Sequence, residues 1–528
     1  MIFESAKKVI SYPSNKFTNF MKNECITLSA AATITFILWR LYKRSNRKSC
    51  AYDPSLLPPL IKGGFPFLGN LLALQENPGQ YLDKVRDSAG PCFRLKIPGQ
   101  GNLVVVTGPL IGEVMKSSKN FNFNRGIEVL IPSAKVVKAS YQHKFVVEQI
   151  GPREKHPIIY PIRHNFRENQ IDVFSERIQS SLKKALDKEL TLQQGEQKSV
   201  NILNLLTVII SYISCPCFAG SKVGSNEELI AGMATFTRKI IKAGVFLSIL
   251  PLGTGSFFVR NFLSVEHEMD LIMKLLVPEL QKIRSGEVGD NYEVTFATMA
   301  LNLPKEDGTL RTVEDAAYHF NGIALASIHT TSHFASFALH ELACRPSLVE
   351  DLRKEIATLG NDKTPESVAT LDLMDSFFRE VLRCNVDYLG MHHLSLQDTV
   401  MSSGHIIPKG SLVVGAVEQA HRDNRLLSVD EDTGEICLGA SPLDVFDGYR
   451  FLDRKMKSTA IGLDHLVFGI GPHACPGRYF AANEIKYVIA EMLVRYNIRT
   501  KSGKRAKDNV LLGMTRFPPL EHLVFEGL

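Results

Sequence analysis

Near its C-terminal end the chain runs Phe468-Gly469-Ile470-Gly471-Pro472-His473-Ala474-Cys475-Pro476-Gly477, then passes into a helical pattern from Arg478 to Arg495. Gly469 and Gly471 lack a Cβ, so the backbone can turn tightly and approach a flat partner closely. Cys475 falls where this loop meets a helix N-terminus, where the helix dipole and free N–H groups favour thiolate over thiol. The same N–H groups would tune a metal bound to the sulfur, and Phe468 is placed to shield it from water. Two readings follow. One is a structural cysteine in a Gly-rich turn. The other is a thiolate ligand to the iron of a flat macrocycle, haem.

Composition narrows the choice of function classes. The chain has 528 residues, 45% apolar and 22% charged, as expected of a globular protein. A net charge of +6 is small for this length, and no basic stripe is interleaved with aromatics, so a nucleic-acid binder is not expected. The nine cysteines show no C-x-x-C and no zinc pattern. Cys215-Pro216-Cys217 reads as two small apolar residues at a helix end, and free thiols fit a reducing compartment.

Residues 1–24 are polar. Cys25 to Trp39 is uncharged and mostly apolar, and Leu41 and Tyr42 extend it, so 25–42 reads as a retained membrane anchor. A buried helix is the alternative. Arg40, Lys43, Arg44, Arg47 and Lys48 follow, which places the bulk of the chain on the cytosolic side, although Lys7, Lys8, Lys16 and Lys22 flank the other end. Residues 43–79 are basic, then rich in proline and glycine, and read as a stiff linker. A soluble domain is expected from 80 to 528. In it, 93–97 and 102–106 read as a hairpin, and 120–155 as a long irregular connection. Helical patterns resume near Pro157 and fill most of 175–282, broken at 220–224 and 251–255. The apolar run 240–252 suits either a substrate entrance or core.

Thr312-x-x-Asp315 has the spacing of a helix start, and a proline-free pattern then runs to Cys344. In its middle stands Ala326-Ser327-Ile328-His329-Thr330-Thr331. Farther on, Glu380-Val381-Leu382-Arg383 puts two charges on one helix face, and Phe446-Asp447-Gly448-Tyr449-Arg450-Phe451 adds an arginine shortly before the cysteine loop. Residues 404–410 read as a hairpin, and 511–519 as a β-turn able to reach a pocket with Met514 or Thr515.

The pattern F-G-x-G-x-H-x-C-x-G resembles the cysteine loop of the cytochrome P450 family. The Ala326–Thr331 stretch, the Glu-x-x-Arg and the F-x-x-x-R-F segment occur in that family's order. The resemblance covers about Pro58 to the C-terminus and implies a mainly α P450 fold with a small β region and one haem b. It implies Cys475 as the axial iron ligand, with Phe468, Gly469 and Gly477 shaping its loop. His473 and His393 stand where the family binds haem propionates. Arg163, with His156 nearby, is a further candidate, although Ile159 replaces the usual tryptophan four residues earlier. Thr330 is implied as the oxygen-site hydroxyl that holds a proton-delivering water. His329 occupies the usual place of an acid. Imidazole titrates near neutral pH, so His329 is either a proton relay or a packed helix residue. Glu380, Arg383 and Arg450 are implied as a buried structural network.

The implied activity is monooxygenation of a lipophilic substrate such as a terpenoid, a steroid or another secondary metabolite. Electrons would come from NADPH through a separate flavin-containing reductase, with cytochrome b5 as a further donor. The expected site is the endoplasmic reticulum membrane, with the chain in contact with lipid and the catalytic domain in the cytosol. A P450-type isomerase or dehydratase needing no reductase, and a haem carrier without turnover, are the rival readings.

Overall fold

In the computed structural model the described residues are 52–62, 68–97, 100–141, 144, 148, 155–249, 254–289, 292–423, 441–454 and 456–528. The expected anchor at 25–42 lies outside them. Part of the expected linker is already folded: Arg94 N–H donates to the Pro59 carbonyl at 2.8 Å and Ile61 N–H to the Arg94 carbonyl at 2.9 Å.

Helix α1 (Pro78–Ala89) starts on a proline, which suits a helix's first turn, behind Asn77, whose side chain accepts from Gln80 N–H. Strands β1 (Cys92–Ile97) and β2 (Gly101–Val106) form the expected antiparallel hairpin, Cys92 opposite Val106. Helix α2 (Pro109–Lys116) follows. The segment expected to be irregular holds strand β3 (Phe121–Asn122) and helices α3 (Phe123–Leu130) and α4 (Ser133–Tyr141). Asn122 starts α3 by accepting from Arg125 N–H at 2.8 Å. Gly126 lets α3 press on a strand: a Cβ there would sit 2.2 Å from the His392 carbonyl oxygen.

Helices α5 (Ile159–Asn165), α6 (Asp172–Glu189), α7 (Ile202–Ala219), α8 (Glu227–Ile249) and α9 (Glu266–Arg284) build the bundle. Strand β4 (Gln197–Val200) interrupts them. Helix α7 carries no charged residue and is long and apolar enough to cross a membrane, but 78% of it is buried inside the fold. It is the central core helix. Ile240 and Ala243 are fully buried too, so that part of the apolar run is core.

The expected continuous helix over 312–344 is two helices, α10 (Val313–Tyr318) and α11 (Phe320–Leu342). At His319 the backbone tightens, with Gly322 N–H donating to the His319 carbonyl. His319 Nε2 lies 3.3 Å from Asp315, which also pairs with the buried Arg311 at 3.1 Å. Helix α12 (Asp372–Cys384) packs beneath. Strands β5 (Gly390–Ser395), β6 (Thr399–Val400), β7 (Ile406–Ile407) and β8 (Leu412–Gly415) lead to the short helix α13 (Val417–Ala420). The main sheet has the order β1-β2-β8-β5-β3, with β2 and β8 parallel and an irregularity in β5 between Gly390 and His393.

Helix α14 (Arg478–Arg495) follows the cysteine loop with the expected bounds. Strand β9 (Tyr496–Arg499) pairs with β12 (Leu523–Gly527), which also pairs with β4. Strands β10 (Asn509–Leu511) and β11 (Thr515–Phe517) form the expected C-terminal turn, but Met514 is 1% exposed in the sheet's core cluster and does not reach a pocket. One large apolar cluster fills the bundle, and two smaller ones flank the sheet.

Candidate active site

The loop ahead of α14 is shaped by its backbone. Gly469 and Gly471 have φ of +67° and +73°, conformations that favour glycine. A Cβ on Gly471 would lie 3.1 Å from Lys116 and Met115 backbone atoms at the end of α2. Cys475 N–H donates to the Phe468 carbonyl at 2.7 Å and closes the turn, and Gly477 is the N-cap of α14. Phe468 packs at the edge of the bundle core, 6.3 Å from the His465 ring. Burial pushes the Cys475 thiol up, while the Gly477 N–H and the Arg478 charge pull it down. Without a cation on sulfur this environment favours the thiol. A coordinated metal is what would hold the thiolate.

Three groups expected at carboxylates gather around this loop. Arg163 Nη2 donates to the Pro472 carbonyl at 3.0 Å. The His393 and His473 rings lie 6.5 Å apart, and the Phe123 ring is 5.4 and 6.0 Å from them. His393 Nδ1–H donates to the Met391 carbonyl at 2.6 Å, and its buried Nε2 has no partner among the described residues. Burial, with His473 beside it, pulls His393 down to about 4. A bound carboxylate would push it back up. His156 is not in this group. Its Nδ1 accepts from the N–H groups of Ile158 and Ile159, at 3.1 and 3.4 Å, so it caps the entry to α5.

On α11, Ala326 and Thr330 are exposed, although Ala324, Ile328 and Thr331 are buried. They lie one turn apart on one face. Ala326 and Thr330 thus form a small exposed patch in the middle of a core helix. Thr330 Oγ1 donates to the Ala326 carbonyl at 2.6 Å. His329 also keeps accessible surface, yet burial pulls its imidazole down to about 4. It is therefore neutral at physiological pH, and the expected titration near neutrality is corrected.

Glu380, Arg383 and Arg450 form one cluster, each side chain no more than 2% exposed. Arg383 makes a two-pronged bond to Glu380, at 2.7 and 2.8 Å, and Arg450 Nε reaches the same carboxylate at 3.1 Å. Asp447 N–H donates to it at 2.9 Å. Arg450 also donates to the Ser441, Pro442 and Val445 carbonyls.

Sequence reasoning missed a second buried layer. Asp375 pairs with Lys486 at 2.8 Å and accepts from Ser458, and Arg379 pairs with Asp464 at 3.1 Å. His421 Nδ1–H donates to the Arg383 carbonyl, while its Nε2 accepts from Leu466 N–H at 2.7 Å. These bonds tie α12 to the segment that leads into the cysteine loop. The i, i+4 spacing of Asp375 and Arg379 was the one available signal. A third group is Glu484 on α14, which accepts from Ser214, itself 3.0 Å from Ser327 on α11.

The donor set fits haem: a single thiol in a loop turned by two glycines at positive φ, a buried imidazole nitrogen without a partner among the described residues, and exposed small side chains on a buried helix. The cytochrome P450 family model matches residues 58–431 and 440–524. The chain belongs to the cytochrome P450 family.

Among its curated relatives is cytochrome P450 monooxygenase BOA7 of Botryotinia fuckeliana, 28% identical over 61% of this chain and 65% of the relative. Cytochrome P450 monooxygenase 151 of Postia placenta is 24% identical over 69% of this chain and 74% of the relative. The match thus spans just under two thirds of the first relative's length. The solved structure of retinoic acid-bound cyanobacterial CYP120A1 shares the fold with a TM-score of 0.64 at 20% identity, covering 89% of this chain and 99% of that one. The mainly helical P450 fold follows from both comparisons.

Proposed function

We propose that this P450 is a haem-thiolate monooxygenase acting on a lipophilic substrate, of the terpenoid, steroid or other secondary-metabolite kind. One atom of dioxygen enters a C–H bond as hydroxyl and the other leaves as water. Two electrons and two protons balance the reaction. The observation that supports the reading is the cysteine loop, in which Gly469 and Gly471 at positive φ and the Cys475 N–H bond to Phe468 hold a half-buried thiol just ahead of α14.

Haem, when bound, supplies the iron chemistry that activates dioxygen. The residues do the rest. Cys475 provides the sulfur ligand. His393, His473 and Arg163 would hold carboxylates. Thr330 orients a water at the exposed face of α11. His329, neutral in the fold, passes protons by exchanging them between its two nitrogens. Electrons come from NADPH through a separate reductase, with cytochrome b5 as a secondary donor. The anchor at 25–42 holds the enzyme on the endoplasmic reticulum membrane, facing the cytosol.

The test is Cys475→Ser. Serine is a poor soft ligand, so the reduced carbon-monoxide adduct should lose its thiolate absorption and NADPH-dependent oxygenation should fall to background. A thiolate spectrum surviving in that variant would mean that another cysteine is the ligand. NADPH consumption with a reductase separates this reading from an isomerase or a carrier. Deleting residues 1–48 should release the protein from membranes with its haem spectrum unchanged. Full retention after a high-salt wash would count against the anchor.

A further inference from the structure

His333 lies one turn beyond His329 on α11 and has no part in the chemistry above. It is 8% exposed, and its Nδ1 is buried without a hydrogen-bond partner among the described residues. Phenylalanines wall it in. The rings of Phe334, Phe337 and Phe517 lie 5.4, 5.0 and 5.4 Å away, each nearly at right angles to the imidazole. A further ring against it is that of His329, with centroids 5.8 Å apart. A buried polar atom left unpaired in such surroundings is costly.

The surroundings define what Nδ1 lacks. Burial, with His329 beside it, pulls His333 down to about 3, so the ring is neutral and carries one proton. A hydrogen bond to the Arg516 backbone pulls the other way. Arg516 N–H is committed to Asp387, so the Arg516 carbonyl is the group that meets His333, and a carbonyl accepts. The proton of His333 therefore sits on Nε2, and Nδ1 keeps a lone pair that needs a donor. The nearby hydroxyls are committed: Ser332 Oγ donates to the Ile328 carbonyl and Ser336 Oγ to the Ser332 carbonyl, both at 2.6 Å. Thr331 stands two residues back, on another face of the helix. The Arg516 guanidinium is held by Asp508 at 3.1 Å and lies over the Tyr388 ring. His329 is the donor within reach. The two rings share a helix face at the four-residue spacing, and a shift of under ~1 Å brings their nitrogens to hydrogen-bond distance.

We propose that His333 is a positioning residue: its Nδ1 accepts the N–H of the His329 ring and so fixes the tautomer of that ring. This rests on the reading of His329 as a proton relay, and it supplies the relay's resting state. With one nitrogen of His329 turned to His333, the other carries the lone pair on the accessible side of the ring. His329 then meets the water at Thr330 as an acceptor. That water turns one hydrogen to the ring and keeps the other for the reaction. Without His333 the His329 proton sits on either nitrogen, and the water loses its fixed direction.

The experiment reads the tautomer directly. The haem-loaded full chain, carrying nitrogen-15 histidine, is observed by NMR at neutral pH as the reduced carbon-monoxide adduct, which is diamagnetic. The His329 signals are those lost in His329→Ala. In the wild type its two ring nitrogens should give well-separated signals, one protonated and one bare, with one tautomer favoured about fivefold or more, the scale of one buried hydrogen bond. His333→Phe, which suits the aromatic wall, should draw the two signals together towards their mean, and His333→Leu repeats the comparison with a smaller apolar side chain. His333→Asn, whose amide oxygen takes the place of Nδ1, should part the signals again, a rescue that packing alone would not give. Merged signals in the wild type, signals that stay apart in both apolar variants, or no separation in His333→Asn overturn the proposal. The tautomer is read without turnover. Failure of the relay reading would show instead as unchanged coupling in His329→Ala, so the two failures are distinct.

Discussion

His329 shows how burial changes what a residue can contribute. With its imidazole at about 4, only about one molecule in a thousand carries the extra proton at pH 7. A role as standing acid is thereby disfavoured, and a role as neutral relay beside Thr330 is not. His329→Ala should lower product formed per NADPH several-fold and divert electrons to hydrogen peroxide, with substrate affinity little changed. The rate profile between pH 6 and 8 should keep its shape, because no imidazolium is lost. His329→Asp should recover part of the coupling. Unchanged coupling in the alanine variant would leave His329 a packing residue.

At the scale of elements, the Glu380 carboxylate joins α12 to the segment around Arg450. Arg383→Ala would remove the two-pronged bond and leave that carboxylate, at 0% exposure, with only Arg450 and the Asp447 N–H as nitrogen donors, at a cost of ~3–5 kcal/mol. The expected outcome is protein with little haem and a lowered denaturation midpoint, measured by the haem-to-protein ratio and urea titration. A holoprotein of normal stability would show that the cluster is dispensable. The residues of this cluster were legible because local spacing and family order both marked them. So was α14, whose start and end are set by its own sequence. The break at His319 was not legible, since Asp315 and His319 keep the four-residue spacing of a continuous helix and no proline marks the break. Strand β4 was missed for a similar reason. Gln197–Val200 has no apolar alternation, and its partner β12 lies at the far end of the chain. Met514 was misplaced because nothing local shows that its turn docks on the short helix Leu71–Glu76, where Gly513 N–H donates to Gln75.

Across the whole molecule, burial opposes histidine protonation at many sites at once. His156, His329, His340, His392 and His393 are pulled down to about 4, and His333 and His421 to about 3. In the unfolded chain each returns to ~6.5. As pH falls below that value the unfolded state takes up protons that the fold refuses, so stability is lost from about pH 6.5 towards 4. Four carboxyls, Glu128, Glu355, Asp387 and Glu484, are raised by burial and act in the opposite sense. Burial pushes Glu484 up to about 8 and Asp387 to about 7, so the fold keeps protons that the unfolded chain releases above ~4.5, and stability is lost as pH rises towards 8. Histidines outnumber these carboxyls between pH 4.5 and 6.5, so the melting temperature should fall on acidification through that range. Above pH 6.5 the carboxyl contribution stands alone. Glu484→Gln, which cannot ionise but still accepts from Ser214, should therefore raise the melting temperature by several degrees at pH 8 and change it little at pH 5. Equal shifts at both pH values would mean that Glu484 ionises in the fold as it does in water, and that the alkaline loss has another source.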